Sequence, residues 1–558
     1  MATVAEAFAQ AKKSFETGDS ARAEFICRQI VAMQAGQAAV WFLLASACEH
    51  QGKVAEAGAH YRQVIRLLPD CAEAHTGLGN TYARQGQPAD AEKCYREAVR
   101  LRPSDARTHY NLGVVATQQG NYQDAITHYQ EAVRLDPKDV EALSNLGNVQ
   151  RLLGQAEQAV ASQQQALQLQ PNSTTIINNL AATLVDVGRL DEAIGYFHQA
   201  LRMDANLVEC YNNIGQLRKQ QGRLDEALAN FEHALRLVPD HAAARWNRAL
   251  IWLLLGDWQR GWPEYEWRWH QPGRTRPASP QPLWDGAPLN GRTILLGAEQ
   301  GLGDTIQFIR YAALIKERGG NVIVECPPTL MRLLAGVRGI DQMVLANSPQ
   351  PPHHVQAPLL SLPGILGTSV DTIPTGGPYL SADTTLMDHW NRFLTPLWGF
   401  KVGIAWQGNP RFCDDRQRSI PLSQFSGLAS INGVRLISLQ KGPGVEQLRE
   451  HSQVMDLGST LDEANGPFMD SAAIMKHLDL VICSDSAVAH LAGALGVPVW
   501  LALPLVPDWR WLLEREDTPW YPTMRLFRQK RIGDWDDVFR RIGEELRTLV
   551  EQRPKSQG

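Results

Sequence analysis

Hydrophobic and polar positions follow different periods in the two halves of the chain. Up to about residue 275, pairs of helical patterns recur every 34 residues, beginning near residues 4, 38, 72, 106, 140, 174, 208 and 242. From about residue 293, short apolar runs alternate with single helical patterns. A helix pair at a fixed spacing predicts a solenoid. Alternating strands and helices predict a parallel sheet covered by helices.

Three kinds of small or rigid residue mark the 34-residue period. A glycine ends the first helix of each unit, because glycine tolerates a left-handed cap. An alanine on the second helix lets the two helices approach closely, and a proline ends that helix. This pattern resembles the tetratricopeptide repeat (TPR). The positions are Gly18, Gly52, Gly86, Gly120, Gly154, Gly188, Gly222 and Gly256; Ala23, Ala57, Ala91, Ala125, Ala159, Ala193 and Ala227; and Pro69, Pro103, Pro137, Pro171 and Pro239.

An asparagine keeps the same step in five units, at Asn111, Asn145, Asn179, Asn213 and Asn247. In stacked TPR units the first helices line the concave surface, so these amides would form a polar ladder along a groove. A side-chain amide offers a donor and an acceptor, and can hold a peptide backbone of any sequence. The ladder resembles that of the eukaryotic O-GlcNAc transferase family, which implies a protein or peptide acceptor in the groove. The alternative is that the amides pack between repeats.

The eighth unit is unusually aromatic. We expect its tryptophans to pack the end of the solenoid onto the next domain, because a terminal repeat must cover its open face. A sugar-stacking site is the alternative. Residues 271–291 are rich in proline and glycine and mark the boundary. The tryptophans are Trp246, Trp252, Trp258, Trp262, Trp267 and Trp269.

Composition excludes several classes of function. The 558-residue chain is 44% hydrophobic and has a net charge of −5, which does not indicate nucleic-acid binding. Its eight cysteines are scattered without CxxC or a Cys/His spacing suited to zinc, as expected of a reduced cytoplasmic protein. Neither a signal peptide nor an integral membrane segment is predicted. Asp534 and Asp536 have the Asp-x-Asp form of metal-dependent transferases, but we interpret them as helix-capping residues, with no metal expected.

The apolar runs of the second half form two series. The first holds Thr293–Gly297, Asn321–Glu325 and runs near 342–346 and 354–356, with a helical pattern over 305–318. Two doubly wound domains in series resemble the GT-B architecture of nucleotide-sugar glycosyltransferases, whose ligands bind at the carboxyl ends of strands. The second series holds runs at 401–406, 435–439, 453–456, 478–483 and 498–503, helical patterns near 443–450, 468–477 and 486–496, and an amphipathic helix at 536–552.

The predicted organisation therefore has three parts. An α-solenoid of about eight TPR units occupies residues 1–275. A first Rossmann-like domain, on the acceptor side, occupies residues 276–398. A second Rossmann-like domain, which would hold the donor, occupies residues 399–558.

The strongest local signal follows the run at 478–483. The buried strand ends in Asp485 and Ser486, and a helix of small residues begins at once and carries His490. The free N–H groups at such a helix end bind diphosphates. The segment resembles the donor site of the heptosyltransferase-like family, with Ala487 in place of its usual glycine. The alternative is a helix cap at Asp485 and Ser486, with His490 as a core histidine.

A second signal is the loop Glu299–Thr305, which includes Gln300, Gly301, Gly303 and Asp304. It resembles the Leu-Gly-Asp loop of the same family, which implies that Asp304 is the general base for the acceptor. The glycines would let the backbone approach the substrate. The alternative is Asp304 as the N-cap of a helix that starts at Thr305.

Two further loops would contact the donor. Gln407 and Gly408 end the strand at 401–406, and Arg418 follows three residues before a proline, as the phosphate-binding cation does in the resembled family. A guanidinium neutralises a departing diphosphate without a metal. Lys441 and Glu446 match the loop near the nucleoside in that family, although Lys441 replaces an aromatic residue.

These resemblances imply a metal-independent glycosyltransferase without a cofactor. It would move a sugar from a nucleotide-sugar donor to a protein held in the TPR groove, with Asp304 and His490 as catalytic residues. Two alternatives remain: a TPR interaction scaffold with a non-catalytic transferase-like domain, and a lipopolysaccharide or cell-surface sugar transferase.

Overall fold

A computed structural model describes residues 3–274, 276, 279–410, 415–458 and 461–552. Contacts divide the chain into two compact units, residues 1–213 and 214–558. The division falls within a helix of the seventh repeat, so the last repeat helices belong to the same unit as the sheets. The predicted boundary at residue 275 lies inside this second unit.

Sixteen helices form the eight predicted pairs. The first helix of each pair begins at the residue predicted from the sequence, from Val4 to Ala242. The helices are α1 (Val4–Glu16), α2 (Ser20–Met33), α3 (Ala38–His50), α4 (Val54–Leu67), α5 (Ala72–Arg84), α6 (Pro88–Leu101), α7 (Ala106–Gln118), α8 (Tyr122–Leu135), α9 (Val140–Leu152), α10 (Ala156–Leu169), α11 (Thr174–Asp186), α12 (Leu190–Met203), α13 (Val208–Gln220), α14 (Leu224–Leu237), α15 (Ala242–Leu254) and α16 (Trp258–Tyr265).

The small residues have the roles predicted for them. All eight recurring glycines have φ between +71° and +86°, which is the left-handed cap conformation. The seven recurring alanines have no exposed surface. A Cβ atom on Gly113 would lie 2.6 Å from Cε1 of Tyr129, so the paired helices leave no room there for a side chain.

A four-stranded parallel sheet follows the repeats, in the order β3-β2-β1-β4. Its strands are β1 (Thr293–Gly297), β2 (Asn321–Cys326), β3 (Gln342–Leu345) and β4 (Val355–Pro358). Its connections hold α17 (Leu302–Phe308), α18 (Tyr311–Glu317), α19 (Met331–Leu334) and α20 (Leu362–Ile365), and α21 (Thr384–Leu394) leads to the next sheet.

The single helix predicted over 305–318 was wrong in two respects. It starts earlier, at Leu302, because the Asp304 carboxylate accepts a hydrogen bond from the Gly301 N–H at 2.8 Å. It is also broken in two, and Nε of Arg310, at the break, donates to the Gln307 carbonyl at 2.8 Å. That bond occupies an acceptor that a continuous helix would use.

The second sheet has six parallel strands in the order β10-β9-β8-β5-β6-β7. The strand β10 was not predicted. The strands are β5 (Phe400–Ala405), β6 (Val434–Ser438), β7 (Val454–Met455), β8 (Leu480–Ser484), β9 (Val499–Leu503) and β10 (Met524–Arg528), and the helices are α22 (Asp415–Arg418), α23 (Leu422–Ser426), α24 (Met469–Met475), α25 (Ala487–Ala494) and α26 (Trp535–Glu551).

Two further predictions concern helices of this region. The Asp534 side chain caps α26 by accepting from the Asp537 N–H, as we expected of the Asp-x-Asp pair. The helix predicted near 443–450 is a short 3₁₀ helix, Val445–Glu450.

The tryptophans at the start of α16 are core residues. Trp258 and Trp262 are 3% and 7% exposed, and both contact the ring of Trp509. Their indole N–H groups donate to the carbonyls of Leu253 and Thr368. These contacts confirm that the two tryptophans pack onto the α/β region, and both residues also line a cavity.

Candidate functional site

Asp485 directly follows β8, so it lies on the side of the second sheet where the parallel strands have their carboxyl ends. Asp485 is 8% exposed and accepts a hydrogen bond from Nε1 of Trp511 at 2.9 Å. Burial, together with the charge of Asp508, raises the pKa of Asp485 to about 6, and Arg418 opposes that rise. A carboxyl group of this kind gains a proton in mildly acidic solution.

Ser486 occupies the N-cap position of α25, but its side chain does not cap the helix. Its hydroxyl oxygen is buried and has no hydrogen-bond partner within the described part of the chain. The helix-capping interpretation of Ser486 was therefore wrong. A buried hydroxyl without a partner is costly in a folded protein, and a bound ligand would satisfy it.

His490, one turn into α25, is 5% exposed. Its Nδ1 lies 3.0 Å from the Tyr521 hydroxyl, and its ring stacks on Trp511 with 5.5 Å between centroids. Burial lowers the pKa of His490 well below its usual value, and Arg510, Arg310 and Arg418 lower it further. The imidazole is thus neutral at pH 7, and acts through hydrogen bonds rather than charge.

The glycine loop after β1 lies directly against α25. A Cβ atom on Gly303 would come within 2.8 Å of Cδ2 of His490 and 3.4 Å of Cα of Ala487. The two sequence signals, which are nearly 200 residues apart, therefore meet in one site. Only a residue without a side chain permits this approach.

A buried arginine binds the first residue of this loop. Arg268, which has no exposed surface, binds both carboxylate oxygens of Glu299 at 2.8 and 2.9 Å. Next in the chain, Gln300 has φ +60°, an uncommon conformation for a residue with a side chain. Its amide donates to the Tyr265 hydroxyl at 3.3 Å. The loop is thus fixed by the helix that ends the repeats.

Asp304 is the third residue of α17 and forms an ion pair with Arg510. Arg510 also contacts Asp508 at 2.7 Å and Oε1 of Gln307 at 2.6 Å. Burial raises the pKa of Asp304, and the Arg510 guanidinium opposes that rise. Asp304 is therefore not an N-cap residue of a helix from Thr305, since its carboxylate binds the Gly301 N–H from inside the helix.

Arg418 approaches the same site from the loop after β5. Its Nε donates to Asp415 at 3.1 Å, and a Cβ on Gly408 would lie 2.7 Å from its Nη2. The backbone N–H of Gln407 donates to Oε1 of Gln440 at 3.1 Å. Residues 411–414 of this loop, with Cys413, lie outside the described residues.

The fourth predicted group follows β6 and lies beside Gln407, since Nε2 of Gln440 donates to the carbonyls of Gln407 and Pro443 at 3.0 and 2.8 Å. The Lys441 ammonium binds Glu463 at 2.7 Å and the Leu461 carbonyl. Glu446 lies exposed on the 3₁₀ helix Val445–Glu450. Over the residues that the structure describes, no hydrogen bond or ion pair links either side chain to Asp485 or His490.

Sequence reasoning missed the segment between β9 and β10. Arg510, Trp511 and Tyr521 contact the predicted residues Asp304, Asp485 and His490, and Asp508 pairs with Arg510. The available signal was position: Asp508 follows closely on the buried strand β9, so it leaves the sheet at the same edge as Asp485.

The asparagine ladder is only partly open to solvent. The Asn111 amide donates to Asn80, Asn145 to the Tyr110 hydroxyl and Asn213 to Asn178, at 3.2, 3.3 and 3.3 Å. Each bond joins one repeat to the repeat before it. Asn179 is half-buried, and Asn247, in the second compact unit, is 5% exposed. Three of the five amides thus take part in packing between repeats, and each of these three remains partly exposed.

Two family models match the repeat region. Residues 2–207 match the Cilia and flagella-associated protein 70 C-terminal domain, and residues 212–265 match a tetratricopeptide repeat model. Protein FlbA of Caulobacter vibrioides is 27% identical over 340 residues, which cover 56% of this chain and 56% of FlbA. The chain thus matches about half the length of that relative. This share exceeds the stretch from α1 to α16, so the alignment reaches into the α/β half.

Solved structures of repeat proteins also match. YrrB, described as a TPR protein with an unusual peptide-binding site, is 24% identical, with a TM-score of 0.31, over 33% of this chain and 95% of its own. MamA is 24% identical, with a TM-score of 0.29, over 30% of this chain and 92% of its own. The Cut9–Hcn1 hetero-tetramer of APC/C is 20% identical, with a TM-score of 0.34, over 43% and 48%.

Within the described residues, no helix is long and apolar enough to span a membrane. The helix pairs, their left-handed glycine caps and the two family models agree on the first half of the chain. Its helices from Val4 to Tyr265 are tetratricopeptide repeats, a class of repeat that commonly binds proteins or peptides.

Proposed function

We propose that the repeats bind a protein segment and that the α/β half transfers a sugar to it from a nucleotide-sugar donor. The observation that carries this proposal is the convergence at the start of α25. There the buried Ser486 hydroxyl, which has no partner among the described residues, lies with the buried Asp485 and His490 and the loop bearing Asp304 between two parallel sheets. Two such sheets with a site between them fit a GT-B arrangement, in which the donor lies against the second sheet.

The diphosphate would lie at the N-terminus of α25. Free N–H groups there favour an anion, and the Ser486 hydroxyl would donate to it. Arg418 and Arg510 both lower the pKa of His490, so both cations act on this end of the helix. Guanidinium groups can take up the charge of a departing diphosphate without a metal.

Asp304 would accept the proton of the attacking hydroxyl group. Its carboxyl pKa is raised by burial, which suits a general base that works near neutral pH. The ion pair with Arg510 holds the carboxylate in place. When the donor binds, Arg510 would turn partly toward the phosphates and leave Asp304 to the acceptor.

Calorimetry in EDTA tests donor binding directly. UDP, GDP and ADP are titrated into the full chain and into the Ser486→Ala and Arg418→Ala variants. We expect one nucleotide to bind, and each variant to weaken it by roughly tenfold, the loss of a charge-assisted hydrogen bond. Arg525→Ala, which breaks an ion pair on β10, is the control. Binding to none of the three nucleotides would refute the donor site.

The second candidate function is a protein-interaction scaffold without turnover. The repeats themselves favour it, since they are the part of the chain that the family models match. A scaffold would bind its protein partner with equal affinity in the presence and absence of nucleotide sugar, and would release no nucleotide diphosphate. The enzyme would release one diphosphate for each modified acceptor, which mass spectrometry of the acceptor would count.

A further inference from the structure

Three possible metal ligands converge between the helices of the second repeat. The Sγ atom of Cys48, a carboxylate oxygen of Glu56 and an imidazole nitrogen of His60 all lie within 4.8 Å of one another. Cys48 belongs to α3, while Glu56 and His60 belong to α4. This cluster belongs to the first compact unit, whereas the residues of the proposed transferase site belong to the second.

The two helices present these side chains to one another for simple geometric reasons. Glu56 and His60 are four residues apart, so they lie on the same face of α4. Cys48 is completely buried near the end of α3, which runs against that face. The spacing of cysteine and histidine along the chain matches no zinc motif, and the sequence therefore gave no signal of the cluster.

His60 carries the observation that points to a ligand. Its Nε2 atom is buried and has no hydrogen-bond partner in the described part of the chain. Imidazole nitrogens are the commonest metal ligands in proteins, so this atom is a candidate ligand.

The charged residues around the cluster affect the free energy of metal binding. Arg28 pairs with Glu24 at 2.8 Å and with Glu56 at 2.5 Å, and Lys53 pairs with Glu24 at 2.7 Å. A metal that binds here must displace the proton of the Cys48 thiol, because the thiolate is the form that binds metals. Glu24 can keep Arg28 when Glu56 turns to a metal, which leaves no cation without a partner.

We propose that Cys48, Glu56 and His60 bind a divalent transition-metal ion, Zn²⁺ in preference, with water as the fourth ligand. One thiolate, one imidazole, one carboxylate and a water molecule form a tetrahedral set typical of Zn²⁺. Zinc–ligand distances of about 2.0–2.3 Å place ligand atoms roughly 3.5 Å apart, so small rotamer changes would close the cluster. Binding releases the thiol proton to solvent and fastens α3 to α4.

The repeat period supplies a natural control. Two repeats further on, the same positions hold Ala116, Asp124 and His128. The carboxylate and the imidazole recur there, but the thiol is replaced by a methyl group. That cluster should bind Zn²⁺ far more weakly, because it has lost its strongest ligand.

Titration of the reduced full chain with Co²⁺ and Zn²⁺ tests the site. We expect a sulfur-to-cobalt absorption band, displaced by Zn²⁺, and a change in fluorescence from Trp41, whose ring lies 5.4 Å from that of His60. His60→Gln and Glu56→Gln should each weaken Zn²⁺ binding by at least about tenfold, the low end of the loss seen even for residues that only orient a ligand.

Two controls separate this site from adventitious binding. His128→Gln and Cys94→Ser should leave the cobalt band and the Zn²⁺ affinity unchanged. Cys48→Ser should abolish the band, and a melting curve shows whether that variant folds. If it does not fold, Glu56→Gln decides the matter, because Glu56 is exposed and its loss leaves the core intact. An absent band, or equal losses in His60→Gln and His128→Gln, would overturn the proposal.

Discussion

At the scale of single residues, the site is organised by buried charges that satisfy one another. Arg510 joins Asp304, Asp508 and Gln307, and so connects the loop after β1 to the segment after β9. The neutral His490 lies beside this network, held by Tyr521. Removing one partner of such a network leaves an unpaired buried charge, so conservative substitutions are the informative ones.

Asp304→Asn should abolish transfer and leave donor binding almost unchanged. Asparagine keeps the shape and the bond to the Gly301 N–H, but cannot accept the acceptor's proton. We expect kcat to fall by about 10²–10⁴, the usual loss for a general base. Steady-state kinetics and donor calorimetry measure the two effects. A variant that keeps more than about a tenth of the activity would show that Asp304 only holds Arg510.

Asp485 should make donor affinity depend on pH. Its pKa is raised to about 6, so above that pH its negative charge lies next to the phosphates. Affinity for an intact nucleotide sugar should therefore fall, by roughly tenfold or more, as pH rises from 5.5 to 8. The phosphates of a nucleotide sugar do not titrate in this range. Asp485→Asn, measured by calorimetry at both pH values, should bind equally well at each; a pH profile identical to wild type would contradict the assignment.

At the scale of elements, three of the asparagines, Asn111, Asn145 and Asn213, each join a first helix to the repeat before it. Asn145 and Asn213 donate hydrogen bonds to Tyr110 and Asn178. Their N–H₂ groups therefore stabilise the stacking of the repeats. An amide that gives its N–H₂ group to a neighbour can still accept from a peptide N–H through its oxygen. The ladder can therefore serve both packing and recognition.

Replacing Asn145, Asn179 and Asn213 together by alanine should reveal both roles. Two inter-repeat hydrogen bonds are lost, which costs roughly 1–3 kcal/mol of stability in total. We expect a lower melting temperature and, in addition, an acceptor KM raised about tenfold. Donor affinity is the control and should not change. A lower melting temperature with an unchanged KM would assign the amides to packing alone.

At the scale of the whole molecule, the last repeat belongs with the sheets. The compact unit that begins at Ile214 includes α14 to α16, and the α16 tryptophans pack on Trp509 and Trp520. A solenoid needs a polar cap at its end, and here the α/β region covers the end instead. The last repeat and the α/β region therefore belong to one compact unit.

Truncation tests this organisation. A fragment of residues 1–275 would expose Trp258 and Trp262, whereas a fragment of residues 1–207 ends before the second compact unit. We expect the longer fragment to bind a hydrophobic dye and to aggregate, and the shorter one to remain monomeric with a cooperative melting curve. Sedimentation and dye fluorescence measure this. A monomeric, dye-free longer fragment would show that the solenoid ends independently of the sheets.

The sequence alone determined the helix pairs and most of the strands. The 34-residue period fixes the positions of the glycine caps and of the small contact residues in each unit. All eight units therefore start where predicted. Buried parallel strands such as β1 and β8 are apolar throughout, which makes them readable without a partner. Asp485, Ser486 and the Gly303 loop could be found because each follows such a strand.

Only the tertiary structure decided how distant segments meet. Nothing local marks Arg510 as the partner of Asp304, because their pairing depends on how the two sheets pack. The same holds for the bonds between the asparagines and the preceding repeat, and for the break at Arg310, where one side chain captures a helix carbonyl. Cys48, Glu56 and His60 likewise converge through the packing of α3 against α4. Sequence periodicity fixes which face of an element is apolar, whereas side-chain partners across elements are set by geometry that no single segment contains.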